Sequence, residues 1–160
     1  MVVDKKIAIE KAWQILQTIC DPEVPVLTII DLGIVRDVKI NDEEIEIIIT
    51  PTYTGCPAMD MITMDIRLAL FENGFPKSKI TSVLSPAWTT DWMSEAGKQK
   101  LKAYGIAAPN KKFTVAKDGV ECPQCHSVHT KLVSEFGSTA CKALYQCADC
   151  KEPFDYFKCH

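Results

Sequence analysis

Residues 44–71 read EIEIIITPTYTGCPAMDMITMDIRLALF, and this stretch decides the fold. Its first part, Glu44 to Thr50, alternates acidic and apolar residues, a pattern typical of a strand with one buried face. Its last part, Ala58 to Phe71, carries apolar residues at helical spacing and stops before Asn73-Gly74. The sequence therefore predicts a strand, a tight turn and a helix. Pro57 suits the first helical position, where its missing N–H costs nothing.

The predicted turn contains Cys56, at or just before the helix N-terminus. Unpaired backbone N–H groups and the positive end of the helix dipole both favour a thiolate there. The residues alone leave two interpretations open. Cys56 is either a small buried side chain, or a functional thiolate that serves as a nucleophile or as a ligand for a soft metal. Thr50 and Thr52 lie in the same loop and are candidates for supporting such a site.

The segments on either side complete a small α+β domain. An apolar stripe that begins at Ile9 predicts a first helix, and Cys20 is expected to pack in the core as part of that stripe. A hairpin partner is predicted at residues 34–40, and a third strand near residues 79–84. This order predicts a small sheet with helices packed on one face.

Three carboxylates lie among apolar residues in the proline-rich stretch of residues 21–33. Proline cannot donate to a strand ladder, so this stretch is unsuited to a central strand. Asp21, Glu23 and Asp31 therefore have two interpretations. They either cap turns and helix ends, or they lie beside Cys56 as hydrogen-bond or metal partners.

A third helix is predicted to be capped by Thr90 or Asp91 and to end at Tyr104-Gly105. Trp88 and Trp92 are four residues apart, so both could lie on one surface. They either pack this helix on the sheet or form an exposed aromatic anchor that docks a partner protein.

Periodicity is lost after this helix, which predicts a linker and two domains, residues 1–108 and residues 109–160. The second contains two Cys-x-x-Cys pairs, a spacing that lets four thiolates surround one zinc ion. A segment this short buries too little apolar surface to fold alone, so we predict a structural zinc ribbon. A redox dithiol and an iron–sulfur cluster are the alternatives. The predicted ligands are Cys122, Cys125, Cys147 and Cys150, with Cys141 and Cys159 as candidate extra ligands.

Composition disfavours nucleic-acid and membrane partners. The 160 residues carry a formal charge of -3, and residues 118–160 contain no arginine, so the basic footprint of phosphate binding is absent. No apolar run approaches the roughly 20 residues of a membrane span, and the first residues lack the features of a signal peptide. We therefore expect a cytoplasmic protein.

Several motifs carry a resemblance to known families. The first domain contains Asp21-Pro22-Glu23-x-Pro25, Asp31-Leu32-Gly33-Ile34-Val35 and Thr50-Pro51-Thr52-Tyr53-x-Gly55-Cys56-Pro57. With these motifs it resembles the small iron–sulfur assembly domain of SufT-like and cytosolic iron–sulfur maturation factors. The rest of the chain contains Trp88-x-x-Asp91-Trp92-Met93, Cys122-Pro-x-Cys125 and Phe136-Gly137-Ser138-Thr139-x-Cys141-Lys142. With these added, the chain resembles the PaaD family (also called PaaJ) of bacterial phenylacetate degradation.

The resemblance implies a role beside phenylacetyl-CoA oxygenase (epoxidase), a multicomponent di-iron enzyme with an iron–sulfur flavoprotein reductase. It implies an accessory factor that helps to assemble or insert a metal centre, with Cys56 holding iron or an iron–sulfur cluster transiently. The expected partners are oxygenase subunits or their reductase. A single cysteine cannot enclose a cluster, so client ligands or a homodimer would complete the site.

Two other functions remain open at this point. The chain could be a non-catalytic structural subunit of the oxygenase, or a thiol enzyme that uses Cys56 as nucleophile. The second is weakened because all three histidines follow residue 125, so the first domain offers no histidine base. The chain also has no paired Glu-x-x-His motif for a di-iron centre, so the oxygenase chemistry belongs to another chain.

Overall fold

A computed structural model describes residues 2–53, 55–109 and 119–157. The chain forms two compact units, Met1–Ser94 and Glu95–His160. The predicted boundary at residues 108 and 109 stays a prediction, but the third helix falls within the second unit. The first unit contains α1 (Val2–Leu16), β1 (Val35–Asn41), β2 (Glu44–Ile49), α2 (Ala58–Glu72), β3 (Ser78–Ser82) and a short 3-10 helix, Thr90–Trp92; the second contains α3 (Glu95–Tyr104), β4 (Thr130–Ser134), β5 (Lys142–Cys147) and β6 (Pro153–Phe157).

The sheet of the first unit has the order β1-β2-β3, with β2 in the centre. β1 and β2 are antiparallel, as expected for a hairpin, whereas β2 and β3 are parallel. A parallel pair needs a crossover connection, and α2 supplies it. Ile45, Ile47 and Ile49 are buried and alternate with more exposed residues, which confirms the period of two predicted for this strand.

The helix α2 buries one side through Ala58, Ile62, Ile66 and Leu70. This spacing of four places all of them on one stripe of the helix. The observed helix agrees closely with the prediction, except that Pro57 is its N-cap residue and not its first helical residue. The α+β fold class is confirmed.

Two expectations about the first unit are wrong. Cys20 is exposed, because α1 ends at Leu16 and Cys20 instead forms an isolated bridge with Thr28. The third helix begins at Glu95 and not next to Thr90 or Asp91, because residues Thr90–Trp92 form a separate 3-10 helix. The Thr89 hydroxyl caps that short helix by accepting a hydrogen bond from the Asp91 N–H.

The second unit is an antiparallel ribbon of three strands in the order β4-β5-β6. Its buried cluster consists of Ala107, Phe154 and two cysteines, Cys122 and Cys147. Tyr145 packs against this cluster and stacks on Phe154 with ring centroids 6.0 Å apart. Two of the four residues of this cluster are therefore cysteines.

A close backbone approach in the first unit gives a test of the fold. Gly33 has φ +71, and a Cβ there would lie 2.3 Å from the Trp92 carbonyl oxygen. We expect Gly33→Ala to lower the free energy of unfolding by about 3 kcal/mol or more, because the left-handed conformation and the clash both cost energy. Urea denaturation measures this loss.

Gly74 is the matched control, because it also has a positive φ of +95 but only the flexible Lys11 Nζ lies near its virtual Cβ, at 3.9 Å. Gly74→Ala should cost about 1–2 kcal/mol through backbone strain alone. Equal losses in the two variants would mean that the Gly33–Trp92 contact is not tight.

Candidate functional site

The Cys56 turn begins where the central strand β2 ends. The N–H of Thr50 donates to the Ile34 carbonyl at 2.9 Å, and the Val83 N–H donates to the Ile49 carbonyl at 2.9 Å. The strand end is therefore held from both sides. Gly55 has φ +78, a conformation that glycine adopts without steric cost. The loop is thus anchored at the sheet and turns sharply just before Cys56.

Cys56 immediately precedes Pro57, the N-cap residue of α2. Its carbonyl accepts a hydrogen bond from the Met59 N–H at 3.2 Å. In the described part of the chain, no side chain caps this helix N-terminus. The Cys56 side chain is partly exposed rather than sealed in the core. A thiolate there can reach a ligand in solvent and lies beside unpaired helix N–H groups.

Thr50 is the unusual polar residue of this loop. Its side chain is only 1% exposed, and its Oγ1 has no hydrogen-bond partner among the residues that the structure describes. A buried hydroxyl without a partner costs about 1–3 kcal/mol, so such a group needs an explanation. A bound ligand that supplies the missing partner is one such explanation.

The buried acids mainly hold their own loops. One carboxylate oxygen of Asp21 accepts hydrogen bonds from the backbone N–H groups of Glu23 (2.7 Å) and Val24 (2.9 Å). Asp31 accepts from the Thr28 N–H at 3.2 Å and from the Ser94 hydroxyl at 3.0 Å. These contacts agree with the capping interpretation. Support of Cys56 by Asp21, Glu23, Asp31, Thr50 or Thr52 stays a prediction.

Ser94 is a partner of this region that sequence reasoning missed. Its hydroxyl binds the Asp31 carboxylate, and its N–H donates to the Asp31 carbonyl at 2.8 Å. No local pattern could have revealed this pair, because the two residues are 63 positions apart.

For Trp88 the docking interpretation is wrong, because this side chain is buried. Trp88 is 3% exposed, and its indole N–H donates to the Leu32 carbonyl at 2.7 Å. Trp92 is half-buried, and the Arg36 guanidinium lies 3.7 Å from its ring centroid. The register of β1 against β2 shifts at Arg36. A docking role for Trp92 stays a prediction.

The four predicted zinc ligands come together in the second unit. The Sγ atoms of Cys122, Cys125, Cys147 and Cys150 all lie within 4.8 Å of one another. Cys122 and Cys150 are 3.7 Å apart, and Cys125 and Cys147 are 3.5 Å apart. Zinc–sulfur bonds of about 2.3 Å give a tetrahedron with edges of about 3.8 Å. The sulfur cage therefore fits a zinc ion.

The two Cys-x-x-Cys pairs share one backbone conformation. The residue after each pair, His126 and Lys151, has a positive φ of 62 and 68. The Cys122 N–H donates to the Ser127 carbonyl at 2.8 Å, and the Cys147 N–H donates to the Glu152 carbonyl at 3.0 Å. Each pair thus forms the same tight turn, which points both of its sulfurs at one centre.

The thiols of this cage differ in acidity. The backbone N–H groups of Cys150 and Asp149 favour the Cys147 thiolate and lower the pKa of Cys147 to about 7. The Glu152 N–H favours a thiolate at Cys150, but desolvation and the thiols of Cys125, Cys147 and Cys122 outweigh it and raise the pKa of Cys150 to about 12. Protons therefore stay on part of the cage until a cation displaces them.

Cys141 does not belong to the cage, so its expected role as an extra ligand is wrong. It lies just before β5, whereas Cys147 ends that strand, and six residues of strand span roughly 20 Å. Cys141 is buried beside the Thr139 hydroxyl, at 2.9 Å. Cys159, the other candidate, lies outside the described residues.

Comparisons with known proteins cover both parts of the chain. Residues 9–83 match the family model described as "Iron-sulfur cluster assembly protein", and residues 107–158 match the "PaaD zinc beta ribbon domain". The chain is 52% identical, over 94% of its own length and 93% of the relative, to an Escherichia coli (strain K12) protein named as one of the subunits of a "Putative 1,2-phenylacetyl-CoA epoxidase".

The chain belongs to the PaaD family.

Two further comparisons concern the first unit of this PaaD-family chain. It is 34% identical to a Porphyromonas gingivalis (strain ATCC BAA-308 / W83) protein named "Fe-S protein maturation auxiliary factor", over 58% of this chain and 89% of that protein. A solved Bacillus anthracis structure of a domain of unknown function, DUF59, is 27% identical with a TM-score of 0.59, and the match covers 63% of this chain and 97% of that one. Among the described residues, no helix is both long enough and apolar enough to span a bilayer.

The orphaned hydroxyl of Thr50 predicts an unusual stability result. Thr50→Val removes the unpaired group at nearly constant shape, so we expect the free energy of unfolding to be unchanged or raised by about 1 kcal/mol. Thr28→Val is the control, because the Thr28 hydroxyl accepts from the Asp31 N–H at 3.0 Å. That variant should lose about 1 kcal/mol in urea denaturation. A larger loss in Thr50→Val than in Thr28→Val would mean that the Thr50 hydroxyl is paired in solution.

The sulfur cage predicts which cysteine the ribbon requires. We expect Cys147→Ser to lose bound zinc and the ordered structure of the second unit, because zinc binding supplies its folding free energy. Cys141→Ser should keep about one zinc per chain. Elemental analysis together with near-UV circular dichroism measures both properties. Zinc lost equally from both variants would contradict the four-cysteine assignment.

Acid should weaken zinc binding to this cage. Zinc binds thiolates and releases their protons, and the raised pKa of Cys150 means that a proton must leave this sulfur at neutral pH. The zinc affinity, measured by competition with a chromophoric chelator, should therefore fall steadily as the pH is lowered from 8 to 6. An affinity independent of pH would contradict binding through four thiolates.

Proposed function

We propose that this chain is an accessory factor that assists the assembly or insertion of a metal centre in the phenylacetyl-CoA epoxidase system. The cargo is iron or an iron–sulfur cluster that the chain holds briefly, not a resident cofactor. The match to the iron–sulfur assembly model and the names of the relatives support this proposal. We expect the chain to act in the cytoplasm on protein clients, either the epoxidase subunits or their iron–sulfur reductase.

The observation that carries the proposal is the position of Cys56. Its side chain is partly exposed and lies directly before an uncapped helix N-terminus. Helix N–H groups and the helix dipole stabilise the negative charge of a thiolate, which is a soft ligand for iron. Cys20, the other cysteine of the first unit, lacks this position, because it lies four residues after the last residue of α1.

The proposed reaction is ligand exchange. The Cys56 thiol gives its proton to solvent and its sulfur binds iron, displacing a weaker ligand such as water. A thiolate or carboxylate of the client then replaces the Cys56 sulfur on iron, and the sulfur takes up a proton again. No electron is transferred in either step. The chain's contribution is to hold one iron ligand where a second protein can reach it.

The neighbouring loop residues would support this step. The buried Thr50 hydroxyl lacks a partner among the described residues and could donate to a cargo sulfide or to a thiolate. Asp21 and Asp31 keep the adjoining loop rigid through their bonds to backbone N–H groups. A rigid loop keeps the thiolate oriented without further ordering when the client binds. These roles belong to the proposal and are tested with it.

One cysteine leaves iron short of ligands, so the remaining ligands must come from elsewhere. Client side chains are one source, and the same loop of a second copy is the other. The zinc ribbon does not supply these iron ligands in the proposal, because its four sulfurs bind the zinc ion that holds the fold of the second unit.

A second candidate function is a structural subunit of the epoxidase. The observation that favours it is the name of the Escherichia coli relative, which calls that protein a subunit. A structural subunit should co-purify with the catalytic subunits at a fixed ratio, whereas an assembly factor should dissociate once the client holds its metal. Size-exclusion chromatography of the mixed proteins, with metal-free and with metal-loaded catalytic subunits, distinguishes the two.

The direct test is metal loading of the client. We expect Cys56→Ser to lower the rate at which metal-free epoxidase subunits gain iron by about tenfold or more, because a lost ligand costs at least as much as a lost supporting contact. Cys20→Ser, which removes an exposed cysteine of the same unit, should load the client normally. Iron per client, measured after re-isolation, is the readout. Normal loading by Cys56→Ser would remove Cys56 from the mechanism.

A further inference from the structure

The helix α2 has a second apolar face, which points to solvent. It consists of Met61, Met64, Leu68 and Phe71, and we call these four residues the α2 stripe. They are 56%, 73%, 57% and 65% exposed. Side chains of this size at these exposures form a patch on the order of 400 Å², which is comparable with the largest patch of a typical monomer. The largest apolar patch of a monomer is often a functional surface.

The spacing of the stripe indicates what kind of surface fits it. The four residues follow one another at intervals of three, four and three. This is the heptad pattern by which one helix packs along another. The fold does not require it, because a separate set of residues already packs the helix against its own unit. The stripe therefore lies ready for a helix from outside this unit.

Charges beside the stripe decide between a second copy of this chain and another protein. Four exposed charged residues flank the stripe, and three of them are carboxylates while one is a guanidinium. They are Asp60, Asp65, Arg67 and Glu72. In heptad terms Asp60 and Arg67 lie on one flank, and Asp65 and Glu72 on the other. A partner with basic residues on both flanks gains attraction from this arrangement.

Pairing of two α2 helices does not gain in the same way. An antiparallel pair centred between Met64 and Leu68 would place Asp65 beside Asp65 of the second copy, and Arg67 beside Arg67 of the second copy. A parallel pair would place Asp60 beside Asp65 of the second copy. This repulsion would offset the attraction between Arg67 and Glu72 of the second copy. Like charges at such flanking positions select against a pairing. Self-association through the stripe is therefore disfavoured.

We infer that the α2 stripe receives an amphipathic helix of a client protein, with apolar residues at the same spacing and lysine or arginine on its flanks. The two methionines suit this role, because their flexible side chains adapt to different apolar partners. The inference rests on the proposed function for the view that the occupant is a client. It places client binding on α2 and leaves iron binding to Cys56, so the two can fail separately.

The test uses a defined probe rather than an unknown client. The probe is a fluorescein-labelled 18-residue peptide with leucine at the heptad core positions, lysine and arginine on the flanks and glutamine elsewhere. Two control peptides have glutamate on the flanks or the same composition in scrambled order. Fluorescence anisotropy with the full chain should show binding of the basic peptide, and binding about tenfold weaker or less for both controls.

Variants of the chain locate the binding surface. Leu68→Gln and Phe71→Gln should each weaken binding of the basic peptide by about tenfold, because each removes a buried apolar contact. Phe136→Gln is the matched control, since Phe136 is also 65% exposed but lies in the second unit, and it should bind normally. All of these positions are exposed, so the variants are expected to fold, which circular dichroism checks.

Two charge variants test the chosen partner chemistry. Arg67→Glu should strengthen binding of the basic peptide about threefold, and Asp65→Lys should weaken it about threefold, as expected for exposed ion pairs. Equal binding of all three peptides, or no effect of the stripe variants, would overturn the inference. So would a wild-type dimer in sedimentation velocity that Leu68→Gln dissociates, because it would assign the stripe to a second copy.

The same peptide assay separates this inference from the proposed function. Cys56→Ser should bind the basic peptide as wild type does, whatever its loading activity. Lost loading together with normal peptide binding supports both claims. If Cys56→Ser loads the client with iron normally while peptide binding still depends on the stripe, only the proposed role of Cys56 is overturned.

Discussion

The rotation of α2 about its own axis is the constraint on which the rest of the first unit depends. Burial of Ala58, Ile62, Ile66 and Leu70 fixes this rotation, and each such side chain contributes on the order of 1–3 kcal/mol when removed from water. A helix held in this way must present its opposite side to solvent. It must also begin at the end of the central strand, where the Cys56 turn joins them. The packing of this one helix face therefore determines both the position of the Cys56 thiol and the exposure of the α2 stripe.

The second unit solves the same problem of stability in another way. One of its buried clusters has two cysteines among four residues, so part of its interior is formed by metal-ligand side chains. The four sulfurs lie within 4.8 Å of one another, and the turns that hold them adopt a matched backbone conformation. We expect a metal ion bound in this cage to stabilise the ribbon. The first unit is thus stabilised by apolar burial, and the second by a bound metal ion in addition.

Local patterns in the sequence predicted much of this architecture. The alternation around Ile47, the apolar spacing of α2 and the paired cysteines each depend on residues close together in the chain, so they gave the strands, the helix and the zinc cage. The errors have the opposite origin. Trp88 donates to the Leu32 carbonyl, and the missed Ser94 donates to Asp31, so only the folded chain brings these groups together. Cys141 was considered a candidate zinc ligand because it is close to Cys147 in sequence. The two residues lie at opposite ends of the extended strand β5, so their side chains are far apart.

The α2 stripe was present in the sequence as an excess of apolar residues over the single face that a surface helix needs, but the apolar spacing alone did not separate a buried face from an exposed one. The central claim, however, concerns Cys56, and the most direct measurement is its alkylation under anaerobic conditions with and without ferrous iron, read by mass spectrometry. We expect iron to slow alkylation of Cys56 and to leave alkylation of the exposed Cys20 unchanged. Alkylation of Cys56 at the same rate with and without iron would contradict a role for this thiolate in holding the metal.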